Sequence, residues 1–337
     1  MSDKAIKTNC VIQTIPTPAP LIEVADLEHN LRIMSDCLSG ARLRPHVKAH
    51  KCTQLARRQY ESGHHGFTCA TLREMEGMIA VGLGDDLLLA NQTLDVDRLQ
   101  RLNGRGLVAV DSVETIEVAA KGLVGGVLIE VNVGLNRCGC VVADAGRLAE
   151  LARNSGLEVR GVMGYEGHAA HVHDATERQH LTSIAMQLLD KAHQQVGGDI
   201  VSAGSTGTYH CNTVATEIQA GSYALMDNEY ARLNLPFRQA FSLLATVIAT
   251  TQGRVVIDCG LKAMGMDAGL PIIANATVHQ VHDEHTIFQS EHKLRVGDRV
   301  RVYPTHIDPT MAYHDRVYVI DSERVLDIWP IDLRGWG

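Results

Sequence analysis

Between Arg42 and Asp227 the chain repeats one rhythm: a short apolar run, a polar or glycine-bearing junction, then a segment of helical periodicity. The apolar runs fall at residues 43–48, 66–70, 86–91, 107–111, 127–132, 161–165, 200–204 and 218–225. Residues 71–80 bring Leu72, Met75, Met78 and Ile79 to one helical face, and residues 177–193 repeat the pattern with Leu181, Ile184, Ala185, Leu188 and Ala192. Runs bounded by Gly, Asp and Asn fit parallel strands whose two faces are both covered. An α/β architecture follows, with a closed TIM-like (β/α)8 barrel favoured over an open sheet. After Phe241 the rhythm changes. Residues 253–258, 276–281, 299–303 and 316–320 are short, β-branched and separated by polar turns, which predicts a second, mainly antiparallel β domain. The expected division is a barrel over residues 18–240 and a β domain over 241–337. Residues 8–15 read as extended, so the N-terminal 1–17 are expected to return as a strand of that second sheet.

A length of 337 residues suits two domains, and 45% hydrophobic with 21% charged residues is ordinary for a soluble globular chain. The formal net charge of −8 argues against a broad face for nucleic-acid phosphates. No run approaches the ~20 apolar residues of a membrane span, and residues 1–20 lack the apolar core of a secretory signal. The eight cysteines are scattered and form no C-x-x-C pair, as expected of reduced thiols in a cytoplasmic protein.

Four places carry chemistry. In the first run, alternation puts Leu43, Pro45 and Val47 on one face and Arg44, His46 and Lys48 on the other. At the C-terminal end of a barrel strand, Lys48 would face the reaction mouth as a carbonyl nucleophile, with Arg44 and His46 able to lower its pKa; the other reading is a solvated basic surface. The SAGSTGT stretch, residues 202–208, is either a polar turn or a phosphate cradle of amides and hydroxyls, and Gly221, Ser222 and Tyr223 could complete such a cradle. It lacks the Walker lysine. Arg137 follows the 127–132 run and could donate to a ring nitrogen or a carboxylate, or close a strand-end salt bridge. Tyr165 precedes His168, His171 and His173, three dense histidines that could line a pocket, bind a metal or sit in a wet loop. In the tail, His306 and Asp308 are two residues apart and would share one side of an extended segment. They offer either a divalent-metal pair, Mn²⁺ or else Mg²⁺, Zn²⁺ or Co²⁺, or a turn ion pair. Asp258, Lys262, Asp267, Glu284 and His285 are polar candidates with no assigned role. A carbonyl-forming lysine joined to a phosphate nest suggests a phosphorylated aldehyde cofactor.

The ordered set RPHVKAHK, FTCATLREME, DDLLLAN, EVNVGLNRCG, GYEGH, SAGSTGTY, QAGSYALMD and PTHID resembles the D-threonine aldolase and D-serine dehydratase family, whose fold is alanine-racemase-like. The resemblance runs from about Pro18 to Pro309. It implies a pyridoxal 5′-phosphate barrel, a β domain holding a divalent metal, and a homodimer. It further implies that Lys48 links covalently to the cofactor and that Arg137 lies near the pyridine ring. Tyr165, Ser205, Thr206, Gly207, Ser222 and Tyr223 would contact the cofactor, His306 and Asp308 the metal, and His171 would serve as an acid–base group. Leu135-Asn136 and Cys140 depart from the family pattern and bear on substrate preference. The implied reaction is cleavage of a β-hydroxy-D-amino acid of the D-threonine, D-phenylserine or 3-hydroxy-D-aspartate type to glycine and an aldehyde. D-selective dehydration to a 2-oxo acid and ammonia is the competing expectation. Asp308 favours cleavage, because dehydratase relatives often carry cysteine there. A non-catalytic pyridoxal-phosphate carrier and a metal hydrolase are the alternatives of other classes.

Overall fold

The structure, a computed structural model, describes residues 11–336. The chain forms two compact units. One comprises Met34–Lys48, Leu55–Gly221 and residues 335–336; the other comprises residues 11–33, Ala49–Gln54 and Ser222–Arg334.

In the first unit seven parallel strands lie side by side in chain order: Gly66–Cys69, Asp86–Leu89, Leu107–Val110, Gly126–Glu130, Val159–Met163, Ile200–Ala203 and Glu217–Ile218. Every residue of Leu107–Val110, Gly126–Glu130 and Ile200–Ala203 is buried, as parallel strands covered on both faces require. Leu88, Leu107, Ala109, Leu128, Met163 and Ile200 join across the strands into one apolar cluster. Each buried leucine there contributes roughly 1.5–3 kcal/mol. The first apolar run supplies the eighth position. Leu43 bridges in parallel to Ile218 and His46 to Thr68, so residues 43–46 join the last strand to the first and close the sheet. The amides of Arg44 and His46 donate to the carbonyls of Ile218 and Ala220, and the Thr68 amide donates to Pro45.

Local chemistry sets the helices. Thr71 caps Leu72–Ala80 by accepting from the Glu74 amide, Ser112 and Thr115 form a reciprocal box before Val113–Lys121, and Asp174 caps Ala175–Val196. Between Val127 and Leu128 the pairing slips by one residue, leaving Arg160 as a bulge. Gly161 follows it at φ +146°, where an added Cβ would overlap the Ile200 carbonyl oxygen; glycine is required there.

The second unit is a mixed sheet of nine strands. Its path runs Ala276–Val281, Thr286–Ser290, Arg254–Ile257, Phe241–Thr251, Ala19–Glu23, Arg316–Asp321 and Arg324–Pro330; Arg299–Tyr303 pairs with both Phe241–Thr251 and Ile272–Ile273. All pairs are antiparallel except Ala19–Glu23 with Arg316–Asp321. Its core gathers Ile12, Ile15, Leu21, Leu244, Tyr318, Ile320 and Val325.

Two boundaries differ from expectation. Residues 222–240 and the strand at 19–23 group with this sheet rather than with the barrel, because Ala19–Glu23 finds its hydrogen-bond partners in Phe241–Thr251 and Arg316–Asp321. The extended segment expected at residues 8–15 lies partly outside the described residues. Its described part forms a short 3-10 turn at Ile12–Thr14, and Val11 bridges to Arg324 at the edge of this sheet. No helix of the described residues is long and apolar enough to cross a membrane.

Candidate active site

In a parallel barrel every strand ends at the same rim, so residues that follow strand ends converge. Lys48 follows the closing segment in a 3-10 turn, Val47–Ala49, and is half-buried, with its amide donating to His46 Nδ1 at 3.4 Å. Arg137, Tyr165 and the Ser205–Gly207 stretch follow later strands to that rim. Arg44 does not. Its buried guanidinium donates to Glu217 at 2.8 Å and to the two Asp86 carboxylate oxygens at 2.7 and 3.1 Å. Glu217 and Asp86 are the first residues of their strands, so Arg44 lies at the opposite end, neutralised. It is not the cation expected beside the Lys48 amine.

Ser205, Thr206 and Gly207 are buried in a turn braced from behind by Glu166. The Glu166 carboxylate accepts from the Gly204 amide at 3.2 Å and from the Thr208 hydroxyl at 2.7 Å. Burial raises this carboxyl above the ordinary carboxylate value, although those donors oppose the shift. The Ser205 amide donates to Thr208 Oγ1, and the Gly207 amide to Ser205 Oγ. The amides of 204, 205 and 207 thus help to fix the shape of the turn. At Gly207 an added Cβ would overlap the Ala170 carbonyl oxygen, so the chain passes there only as glycine.

A cleft is lined by Glu130, Asn132, Leu135, Arg137, Cys138 and Tyr165. The Arg137 guanidinium carbon lies 5.4 Å from the Tyr165 ring centroid, within cation–π range. Asn132 shapes the loop, its Oδ1 accepting from the amides of Gly134 and Asn136. His168 keeps a buried Nδ1 with no hydrogen-bond partner among the described residues, the kind of atom a bound group satisfies. His171 is exposed at the C-terminal end of the short Gly167–Ala170 helix.

Glu130, at the end of its strand, accepts from Gln92 Nε2. Burial, with Asp111 adding like charge, raises its carboxyl above the ordinary carboxylate value, although Gln92 and Arg137 oppose the shift. A carboxyl raised by folding costs nothing while both states are protonated. Its penalty grows as pH climbs from the unfolded value through the raised folded one. Glu130→Gln is therefore expected to become progressively more stable relative to the wild type above about pH 4.3. Urea unfolding from pH 4 to 8 checks this, and a pH-independent difference contradicts it.

The remaining expected residues belong to the other unit. Ser222 and Tyr223 are buried in the 3-10 turn Ser222–Ala224, where the Tyr223 ring packs 5.8 Å from that of Phe237. The expected extended geometry at His306 and Asp308 is corrected. His306 is the extended residue that precedes a helix, Ile307–Tyr313, and Asp308 stands in that helix's first turn. The cause lies 80 residues away in sequence: Asp227 accepts from the Ile307 amide at 3.2 Å and from the Tyr230 amide at 3.0 Å, which starts the helix. Burial, with the Asp308 charge adding to it, pushes the Asp227 carboxyl up to about 6. His306 Nδ1 donates to Asp267 at 2.6 Å, leaving Nε2 as the ring nitrogen for a ligand. An imidazole nitrogen and a carboxylate suit a divalent cation. No group of three metal-type side chains converges among the described residues, so the pair would leave coordination positions for other oxygens.

The sequence singles out no role for Glu166, Glu130 or Gln92, and Asp267 stands in it only as a polar candidate without an assigned role. A glutamate inside an otherwise apolar run, as at Glu130, was the available signal. Glu166 sits within the quoted GYEGH, but its partners are about forty residues away.

Fold and site define a class: barrel enzymes with a lysine at the strand-end rim and a mixed β unit beside it in the chain. The alanine racemase N-terminal domain matches residues 22–229, and a serine dehydratase domain matches residues 240–320. The chain is 31% identical to D-threonine aldolase of Arthrobacter sp., over 96% of this chain and 94% of that one. It is 29% identical to 3-hydroxy-D-aspartate aldolase of Paracoccus denitrificans, over 96% and 93%. The crystal structure of D-threonine aldolase from Filomicrobium marinum superposes with a TM-score of 0.91 at 30% identity, covering 98% of each chain. The chain belongs to the alanine-racemase-like family of fold-type III pyridoxal-phosphate enzymes, alongside the D-threonine and 3-hydroxy-D-aspartate aldolases.

Proposed function

We propose that the protein is a pyridoxal-phosphate- and divalent-metal-dependent aldolase that cleaves β-hydroxy-D-amino acids to glycine and an aldehyde. The substrate is of the D-threonine, D-phenylserine or 3-hydroxy-D-aspartate type. One observation carries the reading: near end-to-end similarity, at 29–31% identity, to two enzymes named for this cleavage. Asp308 supports it, since the oxygen donor is the expectation for the cleaving branch. We further infer a cytoplasmic homodimer using Mn²⁺, with Mg²⁺, Co²⁺ and Zn²⁺ as substitutes.

Lys48 would hold the cofactor through its aldehyde carbon, and the Ser205–Gly207 turn with Ser222 and Tyr223 would hold its phosphate end. Bound there, pyridoxal phosphate supplies stabilisation of negative charge at the substrate Cα. Arg137 and Tyr165 would keep the ring oriented, so that the scissile Cα–Cβ bond stands perpendicular to it. His306 and Asp308 would hold the cation, whose chemistry is to polarise the β-oxygen. His171 is assigned the β-hydroxyl proton. As that proton leaves, the carbonyl of the aldehyde forms, the Cα–Cβ electron pair stays on Cα, and a proton added at Cα gives glycine.

The test is product analysis. The purified protein with pyridoxal phosphate is mixed with D-threonine, D-phenylserine, D-serine and the 3-hydroxy-D-aspartates, with and without Mn²⁺. Glycine and an aldehyde, released faster with Mn²⁺, are expected. Ammonia and a 2-oxo acid would make it a dehydratase, and a cofactor-bound protein with no turnover would make it a carrier.

A further inference from the structure

The His306 imidazole is tied to a residue 39 positions earlier in the sequence. His306 Nδ1 and Asp267 Oδ2 are 2.6 Å apart. Both side chains are partly open to water, and an ion pair so placed adds little stability of its own. Yet the backbone on both sides is held to bring the two together. Gly265 bridges to His306, the Gly265 amide donates to Thr310 Oγ1 at 3.0 Å, and Thr310 Oγ1 donates back to the His306 carbonyl at 2.6 Å. An added Cβ on Gly265 would overlap the Pro309 ring, so the approach depends on that glycine. His306 also occupies the cap position of its helix without using its side chain as a cap, and Asp227 accepts from the first helical amide, that of Ile307. The imidazole is kept out of helix capping and tied to a carboxylate.

We propose that Asp267 is a positioning residue for metal binding: by accepting from Nδ1 it fixes the His306 tautomer and ring orientation and presents Nε2 to the divalent cation. The inference rests on the reading that His306 and Asp308 hold that cation. Carboxylates behind ligating histidines raise ligand basicity, and their loss typically costs 10–100-fold in metal affinity. Asp267 Oδ2 is committed to the imidazole, which assigns it the supporting role rather than that of a third ligand.

The experiment is a Mn²⁺ titration of the pyridoxal-phosphate-loaded protein, followed by electron paramagnetic resonance, on the wild type and on Asp267→Ala, Asp267→Asn and His306→Ala. Asp267→Ala is expected to weaken Mn²⁺ binding by about 10–100-fold. Asp267→Asn should recover most of that loss, because an amide oxygen still accepts from Nδ1. Wild-type affinity in Asp267→Ala overturns the inference, and so does an equal loss in both variants, the signature of direct coordination. Unchanged affinity in His306→Ala instead overturns the metal-pair reading beneath it, so the two failures are distinct. Nitrogen-15 spectra of the metal-free wild type at pH 8 give a readout independent of metal and of any variant's folding. They should show His306 protonated at Nδ1, and an Nε2–H tautomer contradicts the proposal.

Discussion

Lys48→Ala is expected to abolish the visible absorbance of the lysine-bound cofactor and to lower turnover by about a thousandfold, within the range set by loss of a single acid–base group. The side chain stands at the barrel rim because residues 43–46 pair with both neighbouring strands before the chain turns at Val47–Ala49. Lys51, three residues on, is the control. It lies beyond that turn at φ +49°, with its carbonyl accepting from the Leu333 amide, so Lys51→Ala should retain the band. Absorbance spectra of the purified variants with added pyridoxal phosphate decide the matter, with circular dichroism to verify folding. A band that survives in Lys48→Ala removes the lysine assignment.

The second large effect is on stability, at the far end of the same strands. Arg44→Met should cost about 3–5 kcal/mol, because it strands a buried carboxylate. Glu217 is 6% exposed and would keep only the Ser202 hydroxyl, at 2.6 Å, while Asp86 is half-exposed and falls back on water. Burial opposes the Arg44 charge, yet Glu217 and Asp86 together hold its pKa above the ordinary arginine value, so the ion pairs outweigh the burial. Guanidinium unfolding should therefore give a large loss for Arg44→Met. Much of it should return in the double variant Arg44→Met/Glu217→Met, where no charge is left unpaired. A single-variant loss below about 1 kcal/mol, the scale of a surface pair, would show that water already reaches this cluster.

Most of the barrel was legible because of burial itself. Strands covered on both faces must be apolar throughout, and runs such as those at 86–89, 107–110 and 126–130 announce themselves between polar junctions. The helices Leu72–Ala80 and Ala175–Val196 were readable from their apolar spacing, although the second starts two residues before the periodic stretch, behind its Asp174 cap. Features set by distant partners were not. The last barrel run shrinks to Glu217–Ile218 because the chain turns at Ser222–Ala224. The strand Phe241–Thr251 was missed, since it is buried in its first half and exposed in its second and so has no single periodicity. Asp227 converts the His306–Asp308 stretch from strand to helix across 80 residues, and nothing in the HID triplet signals it. The alternation that placed Arg44 beside Lys48 was a sound rule for a face, but it is silent about which end of the strand a long side chain reaches.

The closing segment has a consequence for biogenesis. Residues 43–46 are made early, but one of the two strands they join arrives only at Ile218, about 175 positions later in synthesis. A chain still emerging from the ribosome carries Lys48 on an unfinished seam, and so distant a pairing is slow to form. With Lys48 as the proposed attachment point, loading of the prosthetic group is expected to be a late event in the protein's life, tied to completion of the ring rather than to synthesis of that residue.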